Sequence, residues 1–154
     1  MNLRIRRAAA PDAEVIAGYN AAMALETEHL DLQRERLLAG VRAVLADAGK
    51  GFYLVAETGS AVAGQMMITY EWSDWRNGVF WWIQSVYVEP AWRRRGVFRT
   101  LYRHALEEAR AAGNVCGLRL YVEAANAAAR RTYEELGMNK TVYEMFEVDF
   151  VIRR

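Results

Sequence analysis

The chain contains a single cysteine, Cys116, which excludes an intrachain disulfide and any zinc site built from cysteines. Its two histidines, His29 and His104, stand far apart and no HExxH spacing occurs, so no metal is expected. No apolar run approaches the roughly 18–20 residues that a membrane-spanning helix needs, and no membrane association is expected. The amino-terminal stretch "MNLRIRRAAAPDAE" has basic residues but no apolar core of a secretory signal; the expected location is cytoplasmic. An excess of either charge is also missing. Twenty basic residues face 19 acidic ones, for a net charge of +1, whereas a dedicated nucleic-acid binder is normally far more basic. Only two prolines occur, Pro11 and Pro90, and no Gly/Ser-rich linker or repeat interrupts the chain. One domain spanning residues 1–154 is expected.

What is present is a run of alternating and helical patterns. "LRIRRA" alternates as a strand, and Asp12 after Pro11 is placed to cap a helix carrying Val15, Ile16, Tyr19 and Met23. A second helix opens at Asp31 or Leu32, with Leu37, Leu38, Val41, Val44 and Leu45 on one side. "GFYLVAETGSAVAGQMMITYEW" reads as two strands around a turn, and Asn77-Gly78 as a hairpin turn. "VFWWIQSVYVEP" is nearly continuously apolar, as a central strand is. Phe98, Leu101, Tyr102, Ala105, Leu106 and Ala109 form a helical stripe that stops near Gly113. "LRLYVEA" predicts a strand, and Asn126 caps a last helix with Ala129, Tyr133 and Leu136, ending at Gly137. "KTVYEMFEVDFVI" predicts one or two final strands. The order β-α-α-β-β-β-α-β-α-β-(β) implies an α/β fold: a mixed, mostly antiparallel sheet of six to seven strands with helices on both faces.

"AWRRRGVFRTLYRHAL", residues 91–106, concentrates positive charge at the mouth of a helix. Unpaired N–H groups and the macrodipole already make a helix start attractive to anions. Gly96 lets backbone approach a ligand, and Arg93, Arg94, Arg95 and Arg99 add full charges. From the residues alone, two readings stand: a phosphate or pyrophosphate site, and a solvated basic flank. The Walker-A and GxGxxG patterns are both absent, which argues against ATP and dinucleotides.

A resemblance separates the two. "VYVEPAWRRRGVF" resembles the acyl-CoA-binding segment of the GNAT superfamily of N-acetyltransferases, [QR]-x-x-G-x-[GA], with Arg93, Gly96 and Phe98 at its defined positions. Phe98 departs from the pattern, whose last residue is usually Gly or Ala, and falls on the apolar stripe of the helix. "NAAARRTYEELGM" resembles the family's N-x-x-A-x-x-x-Y-x-x-x-G-[FM] helix at Asn126, Ala129, Tyr133, Gly137 and Met138. With the element order, the resemblance covers nearly the whole chain and is most specific over residues 80–138.

The resemblance implies acetyl-CoA as co-substrate, with its pyrophosphate at Arg93, Arg94, Arg95, Gly96, Val97, Phe98 and Arg99. Backbone groups of Val86, Tyr87 and Val88 would bind the pantetheine arm and polarise the thioester. Tyr133 matches the tyrosine that protonates the departing thiolate, and Asn126 is a helix cap that also reaches CoA. Glu71 is nominated as general base, with ordered water as the alternative. Glu26 and Glu28, with Trp72 and Trp82, suit a cationic small-molecule amine by charge and cation–π contact; the other reading of these carboxylates is a solvated acidic loop. A loose similarity of residues 68–96 to spermidine/spermine acetyltransferases points the same way. Five tryptophans within 21 residues suggest a pocket wall or a homodimer interface. The alternatives to a small-amine acetyltransferase are a protein lysine or N-terminal amine acetyltransferase and a non-catalytic acyl-CoA sensor.

Overall fold

In the computed structural model, which describes residues 2–152, the alternating "RIRR" forms the opening strand β1 (Arg4–Arg7). Strands β2 (Phe52–Thr58), β3 (Ala61–Ser73), β4 (Gly78–Val88) and β5 (Val115–Arg119) complete a sheet in the spatial order β1-β2-β3-β4-β5. The first three pairings are antiparallel and β4–β5 is parallel. The geometry follows from the connections. Two short turns close the hairpins, one between Thr58 and Ala61 and one between Ser73 and Gly78, the second ending on Asn77 in the left-handed conformation at φ 47°. β1 reaches its antiparallel neighbour β2 through two helices, and β4 reaches β5 through one, the crossover that a parallel neighbour requires.

The helices are α1 (Ala13–Glu28), α2 (Arg34–Ala46), α3 (Val97–Ala112) and α4 (Ala127–Glu135). Alternation along β2 assigns them to faces. Tyr53 and Val55 pack with Ala13, Ile16 and Ala17 of α1 and Val41 of α2. Ala56 points the opposite way, its cross-strand partner Gly64 shares that face, and there Val97 of α3 comes close. Helices therefore cover both faces. The buried residues of α1 are Ala13, Ile16, Ala17, Asn20 and Ala24, so the helix approaches the sheet on a seam of small side chains. Val15, expected on that seam, is exposed.

Asp12 does not cap α1 with its side chain. Its carboxylate accepts from the Ala9 N–H (2.8 Å) and from the Arg6 guanidinium (2.8 and 2.9 Å). Arg6 also reaches Glu57 at 2.8 Å, which ties β1, β2 and the start of α1 together. The Arg6 hydrogen bond holds the Asp12 carboxyl below its ordinary range, against the opposing effect of burial.

The chain forms two compact units, Met1–Leu120 and Tyr121–Arg154. The first carries the whole sheet with α1, α2 and α3. The second carries α4, which Asn126 caps by accepting from the Ala129 N–H at 3.1 Å. The sheet has five strands, not six to seven: the final strands expected from "KTVYEMFEVDFVI" do not form among the described residues. A strand exists only as one side of a hydrogen-bonded ladder, and the second unit by itself holds no other strand for this segment to pair with. Its apolar side chains stand in solvent, Phe146 at 93% exposure.

Candidate active site

The β3–β4 ribbon is regular at its hairpin end and broken at the other. Gln65 pairs with Tyr87, but Met67 pairs with Gln84, so Ser85 and Val86 together oppose Met66 alone. This is a β-bulge, which bends the strand and leaves backbone groups without a ladder partner. Ser85 sits at φ 48°, a left-handed conformation uncommon for a residue with a side chain. Val86, Tyr87 and Val88 follow immediately and run toward the arginine loop.

That loop is built to present N–H groups. Pro90–Trp92 makes one 3-10 turn, pinned by Glu89, whose carboxylate accepts from the Ala91 N–H at 3.1 Å. Arg94 (φ 62°) and Gly96 (φ 79°) are left-handed on either side of Arg95. Such alternation turns successive N–H groups toward one side, as in backbone nests that hold anions. Gly96 precedes α3 and has no side chain with which to cap it, so the N–H groups of the first turn point outward. Gly64 lets α3 start here: a Cβ at that position would lie 2.9 Å from Val97 Cγ1 and 3.1 Å from the Tyr87 carbonyl.

The arginines divide by role. Arg93 folds back, donating from Nε to the Val88 carbonyl (2.9 Å) and from Nη2 to Glu26 (2.9 Å), with its guanidinium 5.3 Å from the Tyr87 ring. Arg94 and Arg95 are exposed and have no acidic partner among the described residues; Arg95 lies 5.3 Å from the Trp92 ring. Arg99 is half-buried in the first turn of α3. Phe98 lies beside Tyr102, with ring centroids 6.2 Å apart.

Tyr87 shares the face of Gln65 and so looks toward α1. Its ring lies 4.9 Å from that of Tyr19, and its hydroxyl donates to Glu26 at 3.1 Å. Both Glu26 oxygens are thus engaged, and the Arg93 hydrogen bond holds the carboxyl below the ordinary carboxylate range. Burial, and then Glu26, push the Tyr87 hydroxyl up. Glu28 closes α1 in an exposed position.

Glu71, Trp72 and Trp82 lie at the other end of the ribbon. Glu71 Oε1 accepts from Trp82 Nε1 (3.1 Å) and Arg119 Nη1 (2.7 Å). Glu71 is six residues along β3 from Gln65, about 20 Å at the roughly 3.3 Å rise of a strand. Trp72 is 61% exposed. The proposed base and the two tryptophans are therefore not brought together with the bulge. In the second unit, Asn126 makes its cap, and burial pushes the Tyr133 hydroxyl up, so the phenol stays protonated at neutral pH.

A family model identifies the family of the chain. The model described as "Acetyltransferase (GNAT) family" matches residues 15–138. The chain belongs to the GNAT acetyltransferase family. A possible acetyltransferase from Clostridium difficile 630 superposes with a TM-score of 0.90 at 43% identity, covering 99% of this chain and 100% of that one. A predicted acetyltransferase from Clostridium acetobutylicum, solved with acetyl-CoA, shares the fold at a TM-score of 0.78 and 18% identity, over 97% of each chain. The mycothiol acetyltransferase of Gordonia bronchialis is 29% identical over 140 residues, 91% of this chain. The chain spans 44% of that relative's length.

Two cations without acidic partners among the described residues, a left-handed turn and a helix start without a side-chain cap together favour an anionic group. Among the described residues no group of His, Cys, Asp and Glu is arranged to hold a metal ion. Three residues on the α1 face were missed by reading the sequence: Asn20, Gln65 and Ser85. Gln65 is a lone polar letter in an apolar stretch of β3, and Gln84-Ser85 a polar pair inside the apolar β4, and that was the available signal.

Proposed function

We propose that this GNAT domain transfers the acetyl group of acetyl-CoA to the primary amine of a small cationic molecule, by direct attack in a ternary complex. The observation that carries the reading is the continuous path from the bulge at Ser85–Val86, through Val88, to the left-handed turn at Arg94–Gly96. A thioester laid along such a strand end would meet backbone donors without ladder partners, while its phosphates met the helix mouth. The amine nitrogen attacks the thioester carbonyl carbon, and the charge that develops on oxygen is met by N–H groups of the bulge. The C–S bond then breaks, the thiolate takes the Tyr133 proton, and the amine's proton passes to water. Support for Tyr133 comes from its motif position; a phenol is protonated at neutral pH, and burial pushes this one further up. Ordered water serves as base here in preference to Glu71, which is engaged by Arg119. The aromatic pair Tyr19–Tyr87 beside Glu26 and Glu89 supports a compact amine as acceptor.

Thiol release from acetyl-CoA across a panel of diamines, polyamines, amino alcohols and lysine peptides tests this. Turnover with small amines is expected. Turnover confined to peptides would move the acceptor to proteins, and acetyl-CoA binding without turnover would favour a sensor. Within an active panel, Tyr133→Phe should lower kcat about ten- to a hundredfold, the lower part of the range for a positioned acid, with the acetyl-CoA dissociation constant held. An unchanged kcat, with chemistry rate-limiting, would remove Tyr133 from the mechanism.

A further inference from the structure

Gln65 is fully buried, one of three buried polar residues among those described, and its side chain is asymmetrically bonded. Nε2 donates twice, to Asn20 Oδ1 at 2.8 Å and to the Ser85 carbonyl at 3.2 Å. Oε1 is buried without a partner. The orientation is not arbitrary, because a carbonyl can only accept, so the amide nitrogen must face Ser85. Asn20 is itself buried on α1, and its Oδ1 accepts the Gln65 bond. An orphaned buried acceptor is costly and rare. It is tolerated here where both amide hydrogens are needed at once, one for the helix and one for the bulge.

The bond to Ser85 lands on the residue that most needs it. Ser85 is left-handed without being glycine, and the bulge removes the ladder bonds that would otherwise hold it. We propose that Gln65, braced by Asn20, is a positioning residue for acetyl transfer: it clamps Ser85 in its left-handed conformation and so sets the backbone donor of Val86, which lies in the bulge. The clamp rests on the reading of the bulge as the thioester site, while its mechanical part is independent of that reading. It acts through Ser85 and touches neither the acetyl group nor the phosphates.

The test compares wild type with Gln65→Met, which keeps length and burial but removes both donors, and with Gln65→Met/Ser85→Gly. Glycine adopts positive φ without penalty and so needs no clamp. In Gln65→Met, amide exchange over residues 84–88 should quicken about tenfold while that of α3 stays as in wild type. kcat should fall about ten- to a hundredfold, with KM for acetyl-CoA within about twofold, because only the alignment of reacting groups is lost. Adding Ser85→Gly should recover a large part of kcat. If Gln65→Met does not fold, Asn20→Ser removes the brace and should shift exchange and kcat in the same directions. Unchanged exchange over 84–88, or kcat and KM failing together with no recovery in the glycine background, would overturn the clamp. Wild-type protein that turns over no amine would sink the acetyltransferase reading, and the exchange result would still decide the clamp.

Discussion

The two ends of the β3–β4 ribbon are made of the same kind of residue and do different things. At the hairpin end the register runs unbroken from Thr69–Trp82 to Ser73–Gly78, and the polar contacts are a surface ion pair and an indole N–H. At the far end the register slips, a serine turns left-handed, and buried amides replace ladder bonds. The hairpin end carries the eye-catching residues, two exposed tryptophans and a paired carboxylate. The bulged end carries mostly backbone. For chemistry that needs N–H donors aimed at an oxyanion and at phosphates, an interrupted ladder is the useful one, since a complete ladder has already used its donors.

The largest expected difference between the ends is in packing. Gly64→Val would push a side chain against Val97 and the Tyr87 carbonyl, and a backbone oxygen cannot rotate away. Overpacking of this kind costs roughly 1–3 kcal/mol, which for a domain of this size lowers Tm by about 3–10 °C. Acetyl-CoA affinity should fall with it, because the start of α3 moves. Trp72→Thr at the hairpin end, where the side chain is 61% exposed, should change stability by no more than about 0.5 kcal/mol. Equal losses in thermal melts of the two variants would erase the distinction.

A smaller effect is expected for charge. Replacing Arg94 and Arg95 by alanine should weaken CoA at least about tenfold and pantetheine much less, since charge-assisted bonds to phosphate are lost and the arm is untouched. Arg119→Ala, which removes a cation of equal charge from the hairpin end, should leave CoA affinity within about twofold at fixed salt. Calorimetric titration reads both. Matching losses in the two variants would mean that overall charge, not the helix mouth, draws the cofactor.

What could be read from the letters follows the same division. Local chemistry was largely legible: a turn forms before β4, although over residues 74–77 with Gly78 already in the strand, Asn126 caps α4, and Gly113 and Gly137 are left-handed beyond the ends of α3 and α4. The motif positions at Arg93 and Gly96 located the helix mouth, though not that Arg93 turns inward to Glu26. The bulge was illegible because it is a relation between strands, visible only when Gln65 is set against Tyr87. Asn20 and Gln65 meet across 45 positions of sequence, and no local pattern encodes that. Residues 139–152 fail for the opposite reason. Their composition suits a strand, yet alternation specifies a face and cannot supply a partner.

The smallest effect should come from Glu71, and it discriminates most sharply between residue type and position. Paired carboxylates near aromatic rings invite a catalytic reading, and a general base removed from an enzyme that relies on it costs about 10²–10⁴ in rate. Glu71, however, is nearly half exposed and already accepts from Arg119 and Trp82. Exposed ion pairs of this kind contribute about 0–1 kcal/mol. Glu71→Gln keeps an oxygen that can accept from both donors, so stability should shift by less than about 1 kcal/mol and kcat by less than about twofold. The pH–rate profile should be superimposable on that of wild type, because no group that titrates in turnover has been removed. A loss of a hundredfold in kcat, or a profile whose acid limb disappears, would place the base at the hairpin end. The thioester would then have to lie about 20 Å along β3 from Gln65, at the regular end of the ribbon, and the bulge would be left without a chemical role.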